Sequence, residues 1–152
     1  MVIEKAAYED LKDILQLQKL AYQSEAQILN DFSIPPLLQT LEEVHEEFTQ
    51  GIILKYVEQD NFAIVGSVRA SSKGERVKVG KLMVHPDCQN KGIGSKLLKE
   101  IEKYYPNKSY ELFTSSKSTK NISLYKKHGY QEFARELIKP GLQTILMRKD
   151  KI

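Results

Sequence analysis

The 152-residue chain is long enough for one domain built around one good core. Its 41% hydrophobic and 28% charged residues exclude a disordered chain, and a net charge of +3 is too mild to argue for a nucleic-acid binder. No apolar run reaches membrane-spanning length, and the lone Cys88 excludes an internal disulfide or a cysteine metal cluster. The start Met1-Val2-Ile3-Glu4-Lys5 has no signal-peptide pattern, so a cytoplasmic protein without nucleic-acid or membrane partners is expected.

Val2-Ile3 begins a short first strand. Leu11, Ile14, Leu15 and Leu20 predict a helix over 8–22, with Asp10 inside it and no strong cap before it. Residues 24–39 read as irregular or as a second short helix, broken at Pro35-Pro36. Thr40-Leu41-Glu42-Glu43 is a capping box that opens a helix ending near Gly51. Three strands follow, over 52–58, 62–71 and 77–84, with turns at Gln59-Asp60-Asn61 and Lys73-Gly74. A helix over 93–104 places Ile93, Leu97, Leu98 and Ile101 on one face. A fifth strand over 110–114, a short helix near Asn121–Lys127, and strands over 130–138 and 142–148 complete the chain, with Pro140-Gly141 as the last turn.

The most informative stretch is Gln89-Asn90-Lys91-Gly92-Ile93-Gly94, between an apolar strand and an amphipathic helix. Uncapped N–H groups at a helix start, reinforced by the helix dipole, form an anion site. Gly92 and Gly94 let a pyrophosphate approach the backbone, and Lys91 adds a cation. A Rossmann fingerprint is excluded because Leu97 stands where its third glycine belongs, and the Walker A spacing is absent too. Downstream, Asn121-Ile122-Ser123-Leu124-Tyr125-Lys126-Lys127-His128-Gly129-Tyr130 reads as a short helix, with Ser118 or Thr119 as its N-cap and Gly129 as its stop.

The first stretch fits Q/R-x-x-G-x-G/A and the second resembles N-x-x-L-Y-x-K-x-G-Y/F, two motifs of the GNAT superfamily of N-acetyltransferases. The resemblance is residue-specific over about 75–147 and covers the earlier residues in layout only. It implies one GNAT domain over 1–152 with the α/β (α+β) acyl-CoA N-acyltransferase fold. The fold would be a mixed, twisted sheet of about six to seven strands with helices on both faces. It also implies that the fourth and fifth strands part to admit the pantetheine arm of acetyl-CoA, whose amides pair with the freed backbone.

Roles follow from the same resemblance. Backbone groups of Leu82, Met83 and Val84 would meet pantetheine, with the Leu82 N–H also polarising the thioester carbonyl. Gln89, Asn90, Lys91, Gly92, Ile93, Gly94 and Ser95 would form the pyrophosphate arm, with Ile93 chiefly a core anchor. Asn121 would bond the pantetheine arm, and Lys126 or Lys127 would reach the ribose phosphate or simply face solvent. Tyr125 would protonate the leaving thiolate. A phenol of pKa about 10 donating to a thiolate whose thiol lies near 8.5 is slightly uphill, so positioning matters more than acidity.

The implied reaction is direct attack of a primary amine on acetyl-CoA through a tetrahedral intermediate, releasing CoA. No metal is implied. Cys88, His45, His85 and His128 fit structural or surface roles, since none has triad or metal spacing. Many family members carry a base glutamate two residues before the leucine of the fourth strand, where this chain has Gly80. Water, Glu25 or Asp31 would have to serve instead. The acceptor, a small-molecule or peptide amine, would be shaped by 23–39 and 138–142, with Tyr22, Phe32, Ile34, Leu37 and Leu38 as an apolar floor. Two other readings stay open: a non-catalytic acyl-CoA-binding or sensing domain, and a nucleotide or nucleic-acid binding module using the same anion loop and lysines. A homodimer through the last strands is also open.

Overall fold

A computed structural model describes residues 2–150. Seven strands form one sheet: β1 (Val2–Lys5), β2 (Ile52–Val57), β3 (Ile64–Lys73), β4 (Arg76–Val84), β5 (Ser109–Ser115), β6 (Gln131–Lys139) and β7 (Leu142–Lys149). Their spatial order is β1-β2-β3-β4-β5-β7-β6. Every neighbouring pair is antiparallel except β4 with β5. The helices are α1 (Leu11–Ala21), α2 (Gln23–Leu29), α3 (Pro35–Leu38), α4 (Leu41–Gln50), α5 (Ile93–Lys103) and α6 (Thr119–Lys127). The expected mixed α/β architecture is present. None of the described helices is long and apolar enough to cross a membrane.

The sheet has a core on each face. On one, α5 buries Ile93, Leu97, Leu98 and Ile101 against Val68, Val77 and Val79, which contributes about 2 kcal/mol per side chain. That contact is close because Gly66 has no side chain: a Cβ there would meet Ile93 and Leu97 at 3.0 Å. On the other face, Leu11 and Ile14 of α1 pack with Val44 of α4 and Ile53 of β2.

The observed elements differ from the expected ones where local turn chemistry decides the backbone. Asp10 lies outside α1, in a separate single turn (Tyr8–Asp10) where its carboxylate accepts the Ala7 N–H at 2.7 Å. It also pairs with Lys55 at 2.8 Å. Leu20 is 45% exposed, while Leu17 and Gln18 take the buried face. The segment 24–39 holds two short helices: Asn30 ends α2 with a left-handed backbone, and Pro35 opens α3 instead of breaking a helix. Proline suits a first helical position because its missing N–H would have no partner there and its φ is preset. Phe62, expected in a strand, has φ 58 and so lies in the turn before β3.

The Thr40 capping box forms as expected. Thr40 Oγ1 accepts the Glu43 N–H at 3.2 Å, and Glu43 accepts the Thr40 N–H at 2.9 Å. Thr40→Ala is expected to cost about 1 kcal/mol, seen as a fall of about 3 °C in melting temperature. An unchanged midpoint would show that tertiary packing alone starts α4.

Candidate functional site

The site begins with a defect in β4. This strand pairs with β5 only at Arg76–Ser109, Val77–Tyr110 and Lys78–Glu111. β5 meanwhile stays paired with β7 as far as Ser115–Thr144. Against β3, Gly80 faces Arg69 and Met83 faces Ser67, so Lys81 and Leu82 together oppose Val68. This is a β-bulge, and Lys81 carries its left-handed turn at φ 50. A bulge adds twist and bends its strand, which carries β4 away from β5. Backbone groups over 80–84 are thus left without partners on the β5 side, at the carboxyl ends of the two parallel strands.

The bulge is held from beneath. Lys81 Nζ lies 3.8 Å from the Glu47 carboxylate, which also accepts from Arg69 at 2.5 Å. Arg69 in turn donates to Gln18 at 2.6 Å and to Gln39 at 3.0 Å. Gln18, on the apolar stripe of α1, also donates to the Pro36 carbonyl at 2.8 Å, while the Arg69 Nε is left without a hydrogen-bond partner among the described residues.

Beyond Val84 the chain makes a single turn (Pro86–Cys88) and enters the glycine loop. Asn90 and Gly92 have φ of 64 and 81, a conformation that turns successive N–H groups to one side. Gly92 occupies the N-cap of α5 and offers no side chain to its first N–H groups. Those donors, with the helix dipole, point at whatever lies before α5. The Gln89 amide reaches the Val84 carbonyl at 3.5 Å and links the loop to the end of β4.

α6 and α2 make the facing wall. Ser118 precedes α6, yet its hydroxyl does not cap that helix; it donates to Glu25 of α2 at 3.0 Å. Tyr125 is buried, its ring edge-on to Tyr130 with centroids 6.0 Å apart. Burial raises the pKa of its phenol, and the negative charge of Glu25 raises it further. The Tyr22 phenol is pushed up in the same way, by burial first and then by Tyr125 and Glu25. Both hydroxyls therefore keep their protons and act as donors at neutral pH.

These parts enclose a cleft of about 620 Å³. Leu82, Met83 and Val84 line it from β4, and Gln89, Asn90, Gly92, Ile93, Gly94 and Ser95 from the loop and α5. Asn121 and Lys127 line it from α6. Lys91 and Tyr125 are not among the lining residues: Lys91 is exposed, and Tyr125 is buried. Ile93 is also 2% exposed and belongs to the core.

Several expectations about the surroundings need correction. Of the five residues proposed as an apolar acceptor floor only Tyr22 lines the cleft, joined by Ile28. Phe32 and Leu38 are exposed because the left-handed Asn30 and the proline-started α3 carry them away from it. Asp31 is turned into its own loop, bonded to the Ser33 N–H at 2.9 Å and to its hydroxyl at 2.5 Å. His45 stacks on Tyr8, His85 accepts the Asp87 N–H, and His128 shares a 2.8 Å hydrogen bond with Ser95. Cys88 lines the cleft beside the loop, 3.9 Å from Glu58. The described residues contain no group of three metal-ligating side chains. Ser118 was legible only as a helix cap; its bond to Glu25 spans 93 residues and has no local signature.

The family model for the acetyltransferase (GNAT) domain matches residues 21–151. The chain belongs to the GNAT acetyltransferase family. Two relatives from Bacillus subtilis (strain 168) are similar in sequence. UPF0157 protein YqkA is 27% identical over 125 residues, 80% of this chain but 34% of that protein, so this GNAT chain spans about a third of YqkA's length. The uncharacterized N-acetyltransferase YjcF is 23% identical over 143 residues, covering 93% of this chain and 94% of the relative. Among solved structures, a GNAT superfamily phosphinothricin acetyltransferase from Sinorhizobium meliloti, in complex with AcCoA, superposes with a TM-score of 0.77. It covers 99% of this GNAT chain and 88% of its own, at 18% identity, a likeness of fold.

Proposed function

We propose that the protein transfers an acetyl group from acetyl-CoA to a primary amine of a small molecule or peptide. The observation that carries this reading is the cleft itself: the glycine-loop start of α5 opens onto the unpaired edge of β4, with α6 opposite. An anion-binding helix start next to free backbone groups suits a ligand with a pyrophosphate at one end and amides along its arm. The neighbouring structure in complex with AcCoA supports the same choice of acetyl donor.

In this reading the donor supplies an activated acetyl thioester. N–H groups at Gly92–Ser95 hold its pyrophosphate, and the β4 edge from Leu82 to Val84 pairs with its arm. The Leu82 N–H donates to the thioester oxygen, where negative charge grows as the amine attacks. The new N–C bond forms, the C–S bond breaks, and its electron pair leaves on sulfur. The Tyr125 O–H supplies the sulfur proton, and the excess proton on the newly acylated nitrogen restores the phenol. The raised pKa of Tyr125 makes it a reluctant acid, so its contribution rests on placement and on desolvation of the thiolate beside it.

The test is CoA release from acetyl-CoA with a panel of amines: a peptide N-terminus, lysine, spermidine and kanamycin. Turnover with any of them supports the reading; tight acetyl-CoA binding with no turnover would favour a non-catalytic acyl-CoA sensor. Tyr125→Phe is expected to lower kcat about 100-fold with little change in the KM for acetyl-CoA. An unchanged kcat would remove Tyr125 from the chemistry.

A further inference from the structure

Many GNAT enzymes place a base on β4, and this chain has glycine there. A Cβ built on Gly80 would meet nothing within 4 Å beyond its chain neighbours. We infer that Glu25 of α2 is the carboxylate that takes the proton an acceptor ammonium must shed before it attacks. This rests on the acetyltransferase reading above.

Four observations converge on Glu25. Among the described residues it is the only carboxylate that lines the cleft. One of its oxygens, Oε1, is fixed at 3.0 Å by the Ser118 hydroxyl, which precedes α6. Among the described residues the other oxygen has no hydrogen-bond or ion-pair partner, which leaves it free for an amine. Its negative charge is felt by the phenols of Tyr125, the proposed proton donor, and of Tyr22. The competing carboxylates are engaged elsewhere: Glu47 with Arg69 and Lys81, Asp31 with Ser33.

The proton balance is simple. The ammonium gives one proton to Glu25, which passes it to water at the cleft mouth. The neutral amine then attacks, and the second proton follows the route through Tyr125. The groups around Glu25 are Tyr22, which precedes α2, and Ser118 and Tyr125, while Lys117 and Lys120 are the nearest cations in sequence to Ser118 that line the cleft.

The experiment is the pH dependence of kcat for wild type, Glu25→Gln and Ser118→Ala, using whichever panel amine is turned over, with acetyl-CoA binding measured alongside. Glu25→Gln is expected to bind acetyl-CoA like wild type. It is expected to lose about 100-fold in kcat at pH 7 and to recover as pH rises toward the ammonium pKa of about 10.4, where attack no longer needs a base. Ser118→Ala keeps the carboxylate and is expected to lose less. A purely structural role would give a loss independent of pH, and that result, or an unchanged kcat, would overturn the assignment while leaving the acetyltransferase reading intact. Acetyl-CoA binding by wild type without turnover of any amine would overturn both.

Discussion

Gly94→Glu is expected to abolish acetyl-CoA binding without harming the fold. Gly94 lies in the first turn of α5, facing Leu124 of α6 across the cleft. A Cβ there would sit 3.5 Å from Leu124 and 3.9 Å from Val84, ordinary contact distances, and the backbone does not have the positive φ that demands glycine. The longer side chain must therefore enter the cleft, where its charge occupies the place proposed for the pyrophosphate. An acidic residue in the first helical turn is favourable for the helix by about 0.5 kcal/mol, so the melting temperature should hold or rise slightly. Calorimetric titration of wild type should give micromolar binding, about −8 kcal/mol, and the variant should lose at least ~100-fold, or about 2.7 kcal/mol. Retained affinity in the variant would mean that the loop is not the anion site. Absence of binding to well-folded wild type would remove the acetyl donor itself.

Gly51→Ala is expected to be the most damaging methyl addition tested by this fold. Gly51 follows α4 and leads into β2, with φ −158, an extended conformation any residue adopts. The difficulty is contact alone. A Cβ at Gly51 would lie 2.1 Å from the Ala70 carbonyl oxygen and 3.0 Å from its carbon, so backbone meets backbone with no flexible side chain to yield. β3 would have to shift against the start of β2, where Ile52 pairs with Ala70. Overpacking of this kind costs about 3 kcal/mol or more, which lowers the melting temperature by about 10 °C. Gly80→Ala is the matched control, since its methyl enters open space. A midpoint for Gly51→Ala within 2 °C or so of wild type would show that the two strands are not as close as described.

The two motifs were readable because each depends on neighbours in sequence. A glycine loop before a helix makes an anion site through its own backbone, and the Asn121–Tyr130 stretch carries its helix stop at Gly129, which has φ 92. The apolar face of α5 was equally plain, since its four predicted residues recur at helical spacing and all are buried. The early helices were less so. Gln18 sits on the buried stripe of α1, where a polar residue argues against burial, yet Arg69, Gln39 and Pro36 satisfy it there. Those partners are distant in sequence, and no local pattern announces them.

The sequence by itself determined the element order from β2 onward, the family resemblance, and the position of the anion loop, because periodicity and short-range backbone chemistry encode them. It also marked the missing carboxylate at Gly80. Only the tertiary structure decided where β4 parts from β5, since the bulge falls at Lys81, with its left-handed backbone, and not at the neighbouring glycine. The tertiary structure likewise separated Glu25 from Asp31. Each is a surface-type acid in the same segment, and what distinguishes them is the helix α2, which turns one into the cleft against Ser118, and the Asn30 turn, which leaves the other bonded to its own loop. Long-range contacts of this kind depend on the whole chain being folded, so no stretch of sequence carries them alone.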